Sequence, residues 1–346
     1  MNSKMLIKIV YQHLLQVHLI LKKIRYLHPI RIPKHPALDP HITRLGQIAR
    51  EWDGSERADA AIVGIPFDGS IDHRARRGAR LGPCFIREVL YAKSTFYLEL
   101  DTDIGNLKIV DCGDVNVTMN FRESHRRIEA ALTPIFESGM VPVIIGGDHS
   151  ATYPSIRALC NSMEDGKRLG VIDFDSHHDC RSGLEEVSGL WVREIQEIEK
   201  TPVRGKNIVQ IGVHGSAYSQ FYRDYVRKTG ITVFTPIDVR RRGVDTITKE
   251  ALELASDGVD VIYVSVDIDV LDQTFAPGTL APTPGGLTSW DIIESIIEIS
   301  RHPLVRALDI MEVAPPLDAD NMTSKVAAEI IMNFLCGLSQ RKSLKH

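Results

Sequence analysis

A chain of 346 residues can bury a full core as one large domain or two smaller ones, and 43% apolar with 25% charged residues is the balance of an ordinary globular protein. A net charge of −4 excludes the basic footprint that a nucleic-acid partner demands. The five cysteines (Cys84, Cys112, Cys160, Cys180, Cys336) are scattered without a Cys-x-x-Cys pair, which excludes a disulfide framework and reads as reduced thiols in a cytoplasmic protein.

Residues 1–28 are apolar but carry Lys4, Lys8, Lys22, Lys23 and Arg25. Their longest uncharged run, Ile9 to Leu21, falls short of the roughly 20 residues a membrane span requires. The expectation is an amphipathic helix over 5–24 that packs on the body or on a neighbouring subunit. Pro29, Pro33, Pro36 and Pro40 then make an extended lead-in, so that 1–45 form an extension and 46–346 a single domain. The first strand is expected at 60–64 and a second at 108–111. A Gly-rich turn at 78–83 feeds a helix beginning at 86–90, but its pattern is too degenerate for a phosphate loop. From there helices (124–138, 154–160, 219–228, 247–257, 289–300, 323–337) alternate with strands (141–145, 169–175, 207–213, 231–235, 261–267, 304–311). Such alternation predicts a parallel sheet with helices on both faces.

Three of these strands end in chemistry. Val171-Ile172-Asp173-Phe174 runs into Asp175-Ser176-His177-His178-Asp179; if the chain stays extended, Asp175, His177 and Asp179 point one way. Val261–Val266 runs into Asp267-Ile268-Asp269, again at i and i+2. Val141–Ile145 runs into Gly146-Gly147-Asp148-His149-Ser150, where glycines permit a sharp turn. Six candidate ligands (His149, Asp175, His177, Asp179, Asp267, Asp269) thus come from three strand ends, the place where open α/β sheets bind ligands. Four buried carboxylates repel one another unless cations lie between them, and two divalent ions would offset that repulsion. Cys180, beside Asp179, is read as a small buried filler rather than a ligand.

These residues resemble the ureohydrolase superfamily of arginase, agmatinase, guanidinobutyrase and formimidoylglutamase. The likeness rests on Gly146-Gly147-Asp148-His149-Ser150, Asp175-x-His177-x-Asp179, Ser265-x-Asp267-x-Asp269-x-x-Asp272 with Ala276-Pro277-Gly278, Gly78-Ala79-Arg80-x-Gly82-Pro83 and Met311-Glu312-Val313, and spans about residues 58 to 338. Gln273 stands where the family commonly has proline. The resemblance implies a three-layer α/β/α sandwich around a mainly parallel sheet. It also implies a dinuclear site for manganese, or nickel as in a few relatives, and assembly as a homo-oligomer (trimer or hexamer). His149, Asp175, Asp179 and Asp267 would hold one ion, and Asp175, His177, Asp267 and Asp269 the other. The ions would share a water and lower its pKa enough to give hydroxide near neutral pH.

The branch is read from the loops. Where arginase and agmatinase carry a proton-shuttling His-Gly pair, this chain has Ser188-Gly189, followed by Leu190-Trp191-Val192-Arg193. That pattern, the Arg181 after the metal motif, and Val209-Gln210-Ile211-Gly212-Val213-His214-Gly215 are more similar to formimidoylglutamase. The implied roles are Asp179 as proton carrier, Glu312 pairing with a cationic amidine, and Ser188, Arg193 and His214 around the substrate, with Arg193 on a carboxylate. The expected reaction is hydrolysis of N-formimidoyl-L-glutamate to glutamate and formamide. Agmatinase- or guanidinobutyrase-like release of urea or ammonia is the alternative, and a non-catalytic paralogue the rival outside enzymology. One-zinc amide hydrolysis lacks its paired histidines here, and phosphoesterase chemistry lacks a basic cluster.

Overall fold

The structure, a computed structural model, describes residues 24–35, 39–71, 77–197 and 202–343. The amphipathic helix expected at 5–24 lies almost entirely outside them. Ten strands form one sheet: β1 (Leu27–His28), β2 (Arg50–Glu51), β3 (Ala60–Gly64), β4 (Ile109–Val115), β5 (Val141–Ile145), β6 (Leu169–Phe174), β7 (Val203–Ile211), β8 (Thr232–Phe234), β9 (Val261–Asp267) and β10 (Val305–Met311). Their order is β1-β4-β3-β5-β10-β9-β6-β7-β8, with β2 pairing to β4. Every pairing but β1 with β4 is parallel. Leu27 and His28 thus join the sheet as an antiparallel edge at the end of the 1–28 segment that reads in sequence as a helical extension. Two residues are too few to show a period.

The central strands β3, β5, β6 and β9 are almost wholly buried runs of Val, Ile, Leu and Ala, as strands covered on both faces must be. One face packs on α1 (Gly82–Leu90), α7 (Val244–Ser256), α8 (Ser289–Arg301) and α9 (Met322–Ser343). The other packs on α2 (Phe121–Glu137), α3 (Thr152–Ser162), α4 (Trp191–Glu197) and α5 (Gln220–Thr229). This is the expected three-layer α/β/α sandwich. Besides the four-residue turn of helix at Leu45–Ile48, two helices escape the periodicity reading. The helix α4 spans seven residues, too short for a period, whereas α6 (Pro236–Arg242) does announce itself. There Thr235 Oγ1 accepts from the Asp238 amide, the Asp238 carboxylate accepts from the Thr235 amide, and Pro236 opens the first turn.

A buried ionic knot ties α1 to β4. Arg87 donates from Nε and Nη2 to both oxygens of Asp111 (2.9 and 3.1 Å) and from Nη1 to Asp114, while Tyr91 also donates to Asp111. Burial works against the guanidinium charge, yet Asp111 and Asp114 hold its pKa above the ordinary arginine value. Removing one member strands the others in a dry interior. Arg87→Ala should therefore lower unfolding free energy by about 3–5 kcal/mol in urea titrations, far more than truncation of an exposed arginine.

Candidate metal centre

Four neighbouring strands, β5, β10, β9 and β6, deliver the site from their carboxyl ends. His149 follows β5, Glu312 follows β10, Asp267 closes β9, and Asp175 follows β6. The chain reaches this arrangement because its last two strands insert between β5 and β6.

The turn after β5 is held by fit. A Cβ on Gly147 would stand 1.7 Å from the Phe67 carbonyl oxygen, and one on Gly146 would stand 1.7 Å from Met311 Sδ. Neither glycine has positive φ; what they provide is close approach rather than an unusual backbone. The Asp148 amide donates to that same Phe67 carbonyl at 2.9 Å. Asp148 Oδ2 then accepts from the amides of Gly69 and Ser70 (2.8 and 2.9 Å), and Glu312 Oε1 accepts from the His149 amide at 2.7 Å. His149 is thereby anchored before any ligand arrives.

The structure brings all six candidate ligands together. Around His149 Nδ1 lie Asp175 Oδ2 (3.3 Å), Asp179 Oδ2 (3.2 Å) and Asp267 Oδ2 (3.2 Å). Around His177 Nδ1 lie Asp175 Oδ1 (3.4 Å) and Asp269 Oδ2 (3.1 Å). Two groupings, His149–Asp175–Asp179 and Asp175–His177–Asp269, have the compactness of ion sites, and the carboxylate of Asp175 belongs to both. Asp267 adjoins the first through His149 while its Oδ1 accepts from the Asp269 amide at 2.8 Å. All four aspartates and His149 are buried.

The geometry behind this differs from an extended strand end. The strand β6 stops at Phe174, and Asp179 has φ of +43°, in the left-handed region. The chain therefore coils back, which places Asp179 beside His149 and leaves His177 to the second group. Periodicity could not foresee that turn, because it depends on tertiary bonds. The Asp179 amide donates to Tyr218 Oη (3.3 Å), and the Asp179 carbonyl accepts from the Val192 amide (3.0 Å).

A cation fits this donor set. His149 Nδ1 and Asp175 Oδ2 are buried with no hydrogen-bond partner although they face each other. The orientation of His149 is set from behind. Ser265 Oγ donates to Asp309 Oδ1 (2.7 Å) and so accepts from His149 Nε2 (2.9 Å), leaving the Nδ1 lone pair aimed at the site. Asp309 is itself fixed by Thr152 Oγ1 (2.8 Å) and Tyr263 Oη (2.7 Å). This hydroxyl–carboxylate relay is the outer support that metal-binding histidines require. Without cations only protons can balance the cluster. Against the penalty of burial, Asp269 and Asp175 push His177 up to about 12, and Asp175, Asp179 and Asp267 hold His149 well above its ordinary range. Burial, then Asp269 and Asp175, raise Asp267, whereas His177 and Ser176 bring Asp269 down to about 2 against its burial. Metal binding would displace these protons.

The substrate-side residues fare unequally. Ser188 is buried and opens a short turn, Ser188–Leu190, packed on the His149–Ala151 turn. His214 donates its backbone amide to Ser176 O (3.1 Å), bonds Gly212 O through Nδ1 (2.6 Å), and lines a cavity of about 1090 Å³ with Asp272 and Thr274. Arg193, expected at a substrate carboxylate, has two of its three nitrogens held by the scaffold, while Nη2 is buried without an acceptor. Its Nε bonds the carbonyls of Cys180 and Arg181, Nη1 pairs with Glu197 at 2.7 Å, and the guanidinium lies 3.8 Å from the Tyr225 ring centre. Arg181 lies over the ring of Tyr218, whose hydroxyl reaches Asp179. Cys180 is a buried free thiol, pushed up to about 12 by burial and Asp179, as a filler should be.

Sequence reasoning passed over Tyr218 and Asp309, and it read Trp191 as reshaping the substrate pocket and not as a neighbour of His149. Tyr218 Oη stands 3.5 Å from Asp179 Oδ1, and the Trp191 ring packs 5.2 Å from that of His149. Only Asp309 had a signal, a carboxylate inside the otherwise apolar Ala307–Met311. Ser265→Ala should weaken metal binding about 10–100-fold in competition titrations while the circular dichroism spectrum is kept.

A sequence profile of the arginase family matches residues 58–337. The formimidoylglutamase of Halalkalibacterium halodurans is 40% identical over 311 residues, covering 87% of this chain and 94% of the relative. Among solved structures, formimidoylglutamase from Bacillus subtilis superposes with a TM-score of 0.82 at 30% identity, covering 90% of this chain and 96% of that one. Trypanosoma cruzi formiminoglutamase with Mn2+ gives 0.78 at 27%, covering 87% and 99%. The fold, the ordered ligands and the length of the match agree, and the chain belongs to the arginase family.

Proposed function

We propose that this protein hydrolyses N-formimidoyl-L-glutamate to glutamate and formamide, using two divalent ions, manganese by preference. The observation that carries the reading is the pair of ligand groupings hinged on Asp175, set in a chain 40% identical to a formimidoylglutamase. When bound, two divalent ions supply Lewis acidity and a water acidic enough to be a nucleophile near neutral pH.

The chain's own groups divide the remaining work. Asp175 and Asp267 would each face both ions. Asp179 would carry the proton between water and departing nitrogen, its Oδ1 steadied by Tyr218 Oη. Glu312, at the mouth of β10 and fixed by the His149 amide, would draw the cationic amidine toward Asp267. Ser188 stands where a proton-shuttling histidine is otherwise expected, so transfer falls to Asp179. With Nε and Nη1 of Arg193 engaged elsewhere, the substrate carboxylates would be met by Arg181 and by His214 at the edge of the large cavity. Five free cysteines support a reducing, cytoplasmic setting, and exposed Phe221, Ile237 and Trp290 support assembly with further copies.

Substrate choice is tested by assaying formamide, urea and ammonia from formimidoylglutamate, agmatine, guanidinobutyrate, arginine and guanidine. Formimidoylglutamate should be the substrate turned over, and turnover of guanidino compounds with formimidoylglutamate inert would reassign the branch. Arg181→Gln should raise KM roughly tenfold with little change in kcat, because a remote carboxylate clamp serves ground and transition states alike. Asp267→Ala should release both ions together, seen as metal content per chain falling below one. A variant retaining two tightly bound ions and full activity would exclude the bridging role.

A further inference from the structure

The metal centre occupies the carboxyl ends of the strands, and the opposite edge of the sheet holds a second concentration of charge, a group of three arginines. Parallel pairing sets Ala60 against Val141 and Leu308 against Val143, so continuing the register puts Arg306 level with Val141 at the amino edge. Arg306 is also where β10 slips against β9. Ile262 pairs with Val305 and Tyr263 with Ala307, leaving Arg306 as the extra residue of a bulge, and bulges re-aim the side chain they carry. Arg57 arrives from the segment before β3, its guanidinium lying against Gly139, where an added Cβ would stand 3.0 Å from Nη2. Arg341, near the end of α9, donates from Nη1 to Val305 O at 2.9 Å and from Nε to Ser300 O. Its Nη2 is buried and finds no acceptor.

Among the described residues, no carboxylate forms an ion pair with any of these three arginines, whereas buried Arg87 has two aspartates. Their charges are felt by one another instead. Burial and Arg57 lower the pKa of Arg306, burial and Arg306 bring Arg341 down to about 10, and burial and Arg341 lower nearby His302. Beside Arg57 opens a cavity of about 670 Å³ that Arg50 and Lys108 also line, with Glu56 on its wall. Guanidinium forks grouped without a counter-ion match the oxygens of a small polyanion.

We propose that Arg57, Arg306 and Arg341 form a binding site for a small, multiply charged oxyanion at the amino edge of the sheet. It lies about 20 Å from the metal centre, the length of the β10 strand. An anion here would join the start of β10 to the end of α9 and to the segment before β3, and so stabilise the folded chain through binding.

The test uses the metal-loaded full chain at constant ionic strength, with inorganic phosphate as the probe in calorimetric titration and thermal denaturation. Saturable binding at one phosphate per chain and a rising Tm are expected. Arg57→Gln and Arg306→Gln should each weaken binding at least tenfold and leave kcat/KM unchanged; Arg57 is exposed, so its variant folds even if the bulge is sensitive. Absence of saturable binding would overturn the proposal. So would phosphate binding that survives the double variant, which would place the ion at the metal centre. Sedimentation separates the remaining source of oxyanion. If the substitutions dissociate an oligomer while phosphate has no effect, a carboxylate of another copy is the occupant and the small-anion site is refuted.

Discussion

Four aspartates and two imidazoles share a water-poor space at the carboxyl ends of β5, β6 and β9, and like charges so placed cannot all stay ionised without cations. Much of the surrounding structure serves that constraint. The Asp148 and Glu312 carboxylates clamp the turn that carries His149, and Ser265 with Asp309 fixes the face of its ring. Each support is itself buried and bonded, so the cluster cannot relax apart when protons or metals leave. Folding here stores repulsion that ligand binding relieves.

Topology explains why residues from 149 to 312 meet. Strands β9 and β10 return from the far end of the chain to lie between β5 and β6, so ligands distant in sequence become neighbours on adjacent strands. The close approach of Gly146 to Met311 and of Gly147 to the Phe67 carbonyl lets this happen without a gap. Side chains there would push the His149 turn outward. Binding geometry and core packing are the same problem at this end of the sheet.

Much of the architecture was legible beforehand because its signals are local. Buried strands announce themselves as Val/Ile runs, and their alternation with helices predicts parallel layers without knowledge of any contact. Boundaries were less legible: α9 runs through Gly337 to Ser343, because that glycine serves close packing on α8, where an added Cβ would stand 1.8 Å from Ser300 Oγ, and does not end the helix. The role expected of Arg193 illustrates the limit. Its position in the loop suggested a substrate clamp, but the loop position says nothing of Glu197 one turn away, the Tyr225 ring and the two carbonyls that hold its Nε and Nη1 and leave Nη2 alone without an acceptor.

What the sequence by itself determined is the chemistry: which donor types stand at strand ends, how many, and that their carboxylates need cations. Spacing of carboxylate and imidazole after an apolar run is a local property, preserved whatever the rest of the chain does. Tertiary structure alone decided how the donors divide. Asp179 joins His149 because a left-handed residue and bonds to Tyr218 and Val192 turn the chain back, and Asp175 is shared because its two oxygens face different imidazoles. Those outcomes depend on contacts between segments far apart in sequence, and no local period encodes them.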